Sequence, residues 1–191
     1  MKIRHHRTIS ETRWLNLFEV HYEDPGGKPR SWLLASRRAA PKCTAGGFER
    51  PDAVVIVAFH GPSQKVVMTR EYRVPLADFE YGFPAGLVDP GESVAAAVAR
   101  ELREETGLEL TRIVRSGPPV YSSAGLTDES VAMVYVDCQG TPSTAGNQGA
   151  ELIEVLLVSP SEAGRLCREP DLKFDAKAWL VLDQFARFGR L

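Results

Sequence analysis

The sequence predicts an α/β protein, a sandwich of helices around a mixed β-sheet, preceded by a small antiparallel β-unit. Three observations predict it. Two aromatic and branched segments flank a Pro-Gly-Gly turn near the N-terminus. Residues 53–59 form an uninterrupted apolar run, the mark of a strand buried in the middle of a sheet. Helical patterns at 93–106 and 176–188 stand among strands joined largely by hairpins, which argues against a doubly wound parallel sheet.

Taken in order, residues 13–22 read as a strand, 23–28 as a turn and 31–35 as a second strand, together a hairpin. The polar stretch 37–52 separates that hairpin from the rest of the chain. Residues 1–45 are therefore expected to be an N-terminal β-unit and 46–191 the main domain. After the apolar strand, residues 61–63 turn the chain and 65–72 return. Residues 79–84 are a short extended piece and 86–91 a loop. A helix over 93–106 ends at Gly107. Strands come next near 109–114, with a reach to 120, and at 131–137. Residues 139–150 are poor in apolar side chains and rich in glycine, and read as a mobile loop. A strand at 152–158, a short helix opened by Ser159-Pro160 and the amphipathic helix 176–188 complete the chain.

Composition narrows the function. The 23 Lys+Arg and 25 Asp+Glu give a net charge of −2, so there is no basic surplus of the kind that coats nucleic acid. Cys43, Cys138 and Cys167 have no metal-ligand spacing and read as free thiols in a reducing compartment. The basic N-terminus is followed by no apolar run, and no run is long enough to span a membrane. The cytoplasm is the expected location, with neither nucleic acid nor membrane as partner.

The 93–106 helix carries the chemistry. At about 100° per residue, Val94, Val98 and Leu102 make one apolar stripe. Glu101 and Glu105 fall within or beside that stripe, Glu104 lies on its margin and Arg103 points away. Glu101 and Glu105 are like charges four residues apart, near the helix end where the dipole disfavours anions. They also lean toward the side that loses water, which is costly for an unpaired carboxylate. Arg100 can compensate one of them. The rest suit hard divalent cations with oxygen ligands. The plainer reading, a solvated run of charge on a surface helix, is opposed by the wheel.

Residues 86–108 match G-x5-E-x7-R-E-U-x-E-E-x-G-U at all nine defined positions, from Gly86 through Glu92, Arg100, Glu101, Leu102, Glu104, Glu105 and Gly107 to Leu108. This is the Nudix box, and the chain resembles a Nudix hydrolase. The resemblance implies an α/β/α sandwich with a mixed sheet. It also implies hydrolysis of a nucleoside diphosphate linked to another group, with Mg²⁺ or Mn²⁺ and more than one ion per site. By the same resemblance Glu101 and Glu105 are the principal metal ligands, Glu104 is close by and the Ala85 carbonyl is a further ligand. Glu92 and Arg100 orient the glutamates.

Outside the box, residues 14–37, Arg70-Glu-Tyr-Arg73, Phe83-Pro-Ala-Gly86 and residues 121–129 are similar to the ADP-ribose pyrophosphatase branch. That likeness implies intertwined homodimers and an adenine held between two tryptophans, for which Trp14 and Trp32 are the candidates. The alternative is that both fill the hairpin core or a dimer interface. An arginine of the 70–73 segment meets phosphate, Arg73 before Arg70, against a plain role on the strand surface. Glu151 is the candidate general base, with Glu154 and Glu129 as alternatives. Two departures stand out. Gly82 occupies a position where the branch often has glutamate, with Glu80 two residues earlier, and Ala124 stands where proline is usual. GDP-mannose and UDP-glucose therefore remain open as substrates, and the rival reading as a nucleoside triphosphate hydrolase is disfavoured by the N-terminal β-unit, which small triphosphatases usually lack. A sensor that binds a nucleotide sugar without cleaving it is opposed by the complete set of box acids.

Overall fold

A computed structural model describes residues 1–146 and 152–191. Contacts divide the chain into two compact units. One comprises 1–53 and 118–132, the other 54–117 and 133–191.

The first unit holds an antiparallel sheet of three strands, β1 (Lys2–Ser10), β2 (Asn16–Glu23) and β3 (Pro29–Ser36), in that order. The expected hairpin is β2–β3. Asp24 shapes its turn by accepting N–H bonds from Gly26 at 2.9 Å and Lys28 at 3.0 Å. Phe18 and Val20 are buried on one face of β2. Strand β1 is not foreseen by the pattern, because its side chains are almost all exposed and carry no apolar alternation. Cross-strand pairs hold it instead. Arg4 meets Glu23 at 2.5 Å, Arg7 meets Glu19 at 2.6 Å, and the rings of His5 and His21 stack with centroids 4.5 Å apart.

After β3 a single helical turn, α1 (Lys42–Ala45), buries the Lys42 side chain completely. Its ammonium reaches Asp52 at 2.5 Å and the Ser130 hydroxyl at 2.8 Å. Asp52 also accepts the Ser130 N–H at 2.8 Å.

The main sheet begins with β4 (Ala53–His60), β5 (Lys65–Arg73), β6 (Asp78–Gly82) and β7 (Ala85–Leu87), the last two separated from β5 by a 3-10 turn at Val74–Leu76. Helix α2 (Val94–Thr106) is next, then β8 (Glu109–Tyr121), β9 (Ser130–Gln139), β10 (Ile153–Val158), α3 (Pro160–Leu166), β11 (Lys173–Phe174) and α4 (Ala176–Phe188). The sheet has eight strands in the order β11-β6-β5-β4-β9-β8, with β10 added to β5 and β7 to β4. β11 runs parallel to β6 while β5–β6 and β5–β10 are antiparallel, so the sheet is mixed. β4 is buried on both faces, which explains its unbroken apolar run. The expected long reach of the strand after Gly107 is realised as one 13-residue strand, β8.

The helices begin and end where their caps dictate. Ser93 accepts the Ala96 N–H and Gly107 closes α2 in the left-handed region. Ser159 and Glu162 form a capping box on α3, with Pro160 in its first turn. In α4, Ala178, Leu182 and Phe185 are buried and Phe185 meets Phe59 of β4 edge to face. No helix among the described residues is long and apolar enough to cross a membrane.

Candidate metal and substrate site

The wheel argument for α2 holds in three dimensions. Ala97, Val98, Leu102 and Thr106 are buried, Arg103 is exposed, and Glu101 and Glu105 sit among the buried positions, half-buried themselves. What receives them is the backbone of β7. Glu105 Oε2 accepts the Ala85 N–H at 3.0 Å. The Glu101 carboxylate lies against the α-carbon of Gly86, so that any β-carbon at 86 would collide with it. The glycine of the box is thus explained by close approach rather than by a left-handed backbone.

Arg100 organises the acids. It forks onto Glu92, Nε to Oε1 at 3.0 Å and Nη2 to Oε2 at 2.9 Å. Nη1 reaches Glu101 Oε1 at 2.6 Å and Glu104 Oε2 at 3.4 Å, and Nη2 also donates to the Leu87 carbonyl at 3.0 Å. Glu92 in turn accepts the Asp89 N–H at 3.1 Å, closing the loop onto the helix. The Arg100 guanidinium, and after it that N–H, hold the Glu92 carboxyl below its ordinary range. The same contact raises Arg100, which is charged at every relevant pH.

Among the described residues no three His, Cys, Asp or Glu side chains gather as a metal cage. The arrangement suits a different kind of ion. Mg²⁺ keeps several waters and is commonly bound by one or two carboxylates together with substrate phosphate. Glu101 and Glu105, brought to adjacent residues of β7 by the Gly86 cradle and the Ala85 N–H, offer that donor set, all of it hard oxygen. Glu104, like Glu101, reaches Arg100, at the longer distance.

The remaining candidates are spread over other elements. Arg73 pairs with Glu71 at 2.9 Å and Glu80 at 3.3 Å, two acids that face each other across β5 and β6. Arg70 pairs with Glu154 at 2.8 Å across β5 and β10, and its guanidinium lies 3.7 Å from the centre of the Phe79 ring. Glu129 pairs with Arg37 at 2.5 Å. Both alternatives for the base therefore already hold an arginine, and Glu151 lies outside the described residues.

Trp14 and Trp32 differ. Trp14 is 65% exposed with the Arg13 guanidinium over its ring at 4.4 Å. Trp32 donates its indole N–H to the Gly125 carbonyl at 3.2 Å and lines a cavity of about 280 Å³ within the first unit. Phe48, Tyr121, Ala124 and Asp128 share that cavity, and Trp14 is not among its lining residues. Phe48 carries no signal in the sequence. Tyr121 and Asp128 do lie in the 121–129 segment that resembles the branch, but nothing local assigns them a wall.

The NUDIX domain family model matches residues 49–182. ADP-ribose pyrophosphatase of Saccharomyces cerevisiae is 30% identical over 138 residues, 72% of this chain and 58% of that protein. ADP-sugar pyrophosphatase of Mus musculus is 32% identical over 142 residues, 73% of this chain and 61% of that protein. The chain thus spans about three fifths of the length of these two relatives. ADP-ribose pyrophosphatase of Bacillus subtilis is 27% identical over 183 residues, 93% of this chain and 90% of that one. The crystal structure of an ADP compounds hydrolase superposes with a TM-score of 0.70 at 23% identity, covering 100% of this chain and 96% of that chain, a likeness of fold. The loop and helix of residues 86–108 lie inside the matched region, and the chain belongs to the Nudix hydrolase family, whose members generally use a divalent metal ion.

Proposed function

We propose that the protein is a metal-dependent pyrophosphohydrolase that cleaves ADP-ribose or a related nucleoside diphosphate sugar into a nucleoside monophosphate and a sugar phosphate. One observation carries the reading: Glu101 and Glu105 converge on the Ala85–Gly86 backbone while Arg100 and Glu92 hold the loop onto the helix. Relatives named for ADP-ribose and ADP-sugars support the substrate class.

The residues divide the work. Glu101 and Glu105 hold Mg²⁺ or Mn²⁺, with the Ala85 carbonyl as a further oxygen donor and Glu104 close by. The ion, when bound, neutralises pyrophosphate charge and lowers the pKa of water. Water attacks one phosphorus, the bridging P–O bond breaks, and the proton passes to a carboxylate, for which Glu151 is the candidate. Arg73 or Arg70 exchanges a protein carboxylate for substrate phosphate, a fork suited to either. Trp32 reads the base by its face, with Phe48 and Tyr121 beside it. Residues 1–45 supply Trp32 to this contact and a homodimer interface, supported by the exposure of Ile3, Ile9, Trp14 and Leu33. A monomeric mass at micromolar concentration would refute the dimer.

The test is a panel of nucleoside diphosphate sugars, varied in base and in sugar, with Mg²⁺ and with products identified by mass. A monophosphate and a sugar phosphate are expected. Inorganic pyrophosphate from nucleoside triphosphates as the dominant product would overturn the substrate class. Glu105→Gln should lower turnover by orders of magnitude at saturating Mg²⁺ and leave the circular dichroism spectrum unchanged. Wild-type turnover in that variant would sink the metal assignment.

A further inference from the structure

The last turn of α2, which carries Glu104 and Glu105, does not end in solvent. Residues 140–146 cross it and touch it at three points. Ser143 donates its N–H to the Thr106 carbonyl at 2.8 Å, so a helix-end acceptor with no partner inside the helix is satisfied by a remote segment. Gly107 lies so close to Ser143 that a β-carbon there would stand 2.8 Å from the Ser143 Cβ and 2.9 Å from its carbonyl oxygen. Gly146 packs backbone to backbone on the helix, and a β-carbon on it would stand 2.9 Å from the Glu104 carbonyl oxygen. Gly146 needs no left-handed backbone, so close approach is what a side chain would disturb.

The near end of the segment is fixed as firmly. His60, the 5%-exposed last residue of β4, contacts the Gly140 carbonyl through Nε2 at 2.9 Å. A carbonyl only accepts, so Nε2 carries the proton. Nδ1 meets the Ser63 hydroxyl at 2.7 Å, so both ring nitrogens are engaged. The Gly61 N–H adds a bond to the Cys138 carbonyl at 3.1 Å. Within the segment, the Ser143 hydroxyl accepts the Ala145 N–H at 3.2 Å. A stretch that reads in sequence as a loose glycine-rich loop thus ties the buried central strand to the end of the acidic helix.

We propose that residues 140–146, latched by His60, are a brace that positions Glu105 and Glu101 for the divalent ion. The proposal rests on the reading of those two glutamates as ligands. The brace opposes what would otherwise loosen that turn: three glutamates at Glu101, Glu104 and Glu105 crowd the end of the helix where the dipole is negative. His60, Ser143 and Gly146 are positioning residues, which act through the helix rather than on substrate.

The test uses Gly146→Val, an exposed position whose change leaves the core intact, beside His60→Ala and its conservative partner His60→Gln, which keeps an N–H for the Gly140 carbonyl. Two readouts on the full chain need no substrate: amide hydrogen exchange along α2, and Mn²⁺ binding by calorimetry. Gly146→Val should speed exchange at residues 103–107 about ten-fold and weaken Mn²⁺ binding about ten-fold, with β4 unchanged. His60→Gln should recover much of what His60→Ala loses. Unchanged exchange in Gly146→Val overturns the brace. Faster exchange with unchanged Mn²⁺ affinity overturns its positioning role, provided Glu105→Gln weakens Mn²⁺ binding. If Glu105→Gln binds Mn²⁺ like wild type, the ligand reading falls instead, and the exchange data still judge the brace.

Discussion

Glu101 and Glu105 stand where a helix least tolerates acids, on the buried side and near the negative end of the dipole. Their local partners offset that cost. Gly86→Ala tests the tightest of these contacts: the flexible Glu101 carboxylate must swing aside to admit the methyl. Folding should survive, while Mn²⁺ affinity falls, measured by calorimetry on the folded variant. An unchanged affinity would show that Glu101 does not ligate from this position. Glu92 makes a prediction with a sign. Its folded pKa lies below the ordinary 4.5 because Arg100 favours its charged form. The stability it contributes is therefore present above about pH 4.5 and is lost as pH falls below it. The urea midpoints of wild type and Glu92→Gln should differ at pH 6 and converge toward pH 3. A gap that does not change with pH would contradict that linkage. Removing the same carboxylate should also lower metal affinity or activity by about 10–100-fold, the usual consequence of losing a group that orients a ligand.

Glycines separate two physical demands within the elements that build the site. Gly91 and Gly107 both adopt positive φ, +83° and +69°. A β-carbon on Gly91 would meet nothing within 4 Å, whereas one on Gly107 would strike Ser143. Gly91→Ala should therefore cost only the backbone strain, about 1–2 kcal/mol, and Gly107→Ala more than that, read from chemical denaturation. Equal losses would mean that the approach of residues 140–146 to α2 carries no stability. The elements also show what local pattern can reveal. α2 is bounded within a residue by its pattern because its caps, Ser93 and Gly107, are chain neighbours of that pattern. β1 escapes such reading because its partners, Glu19, His21 and Glu23, are supplied by another strand. β11 is two residues long and exists only through its parallel pairing with β6.

For the whole molecule, the near-zero net charge is an average over opposed local groups. Glu92, Glu101 and Glu104 share Arg100 and Glu105 takes a backbone N–H instead, while the first unit buries a cation of its own. Lys42, with a side chain wholly inaccessible, faces Asp52, whose side chain is 17% exposed. Lys42→Met should cost about 1–3 kcal/mol in chemical denaturation, because it takes the close partner from a part-buried carboxylate and leaves it the more distant Arg38 guanidinium, 3.8 Å away. A loss below about 1 kcal/mol would show that water or the Ser130 hydroxyl can take over the pairing.

The sequence by itself determined the acidic helix, its loop, the family and the sheet's central strand. In each case the information is local: a fixed spacing of glutamates and glycines over residues 86–108, or a strand so buried that residues 53–59 are all apolar. Tertiary structure alone decided what those residues touch. Nothing local says that Glu105 bonds the Ala85 N–H, that Arg73 is shared by Glu71 and Glu80, or that Trp32 opens onto Phe48 and Tyr121 while Trp14 lies under Arg13. Nor does it show that a glycine-rich loop is seated on the end of α2. Such contacts join residues far apart in the chain, and they depend on strand register and close backbone approach, which become defined only when the sheet has formed.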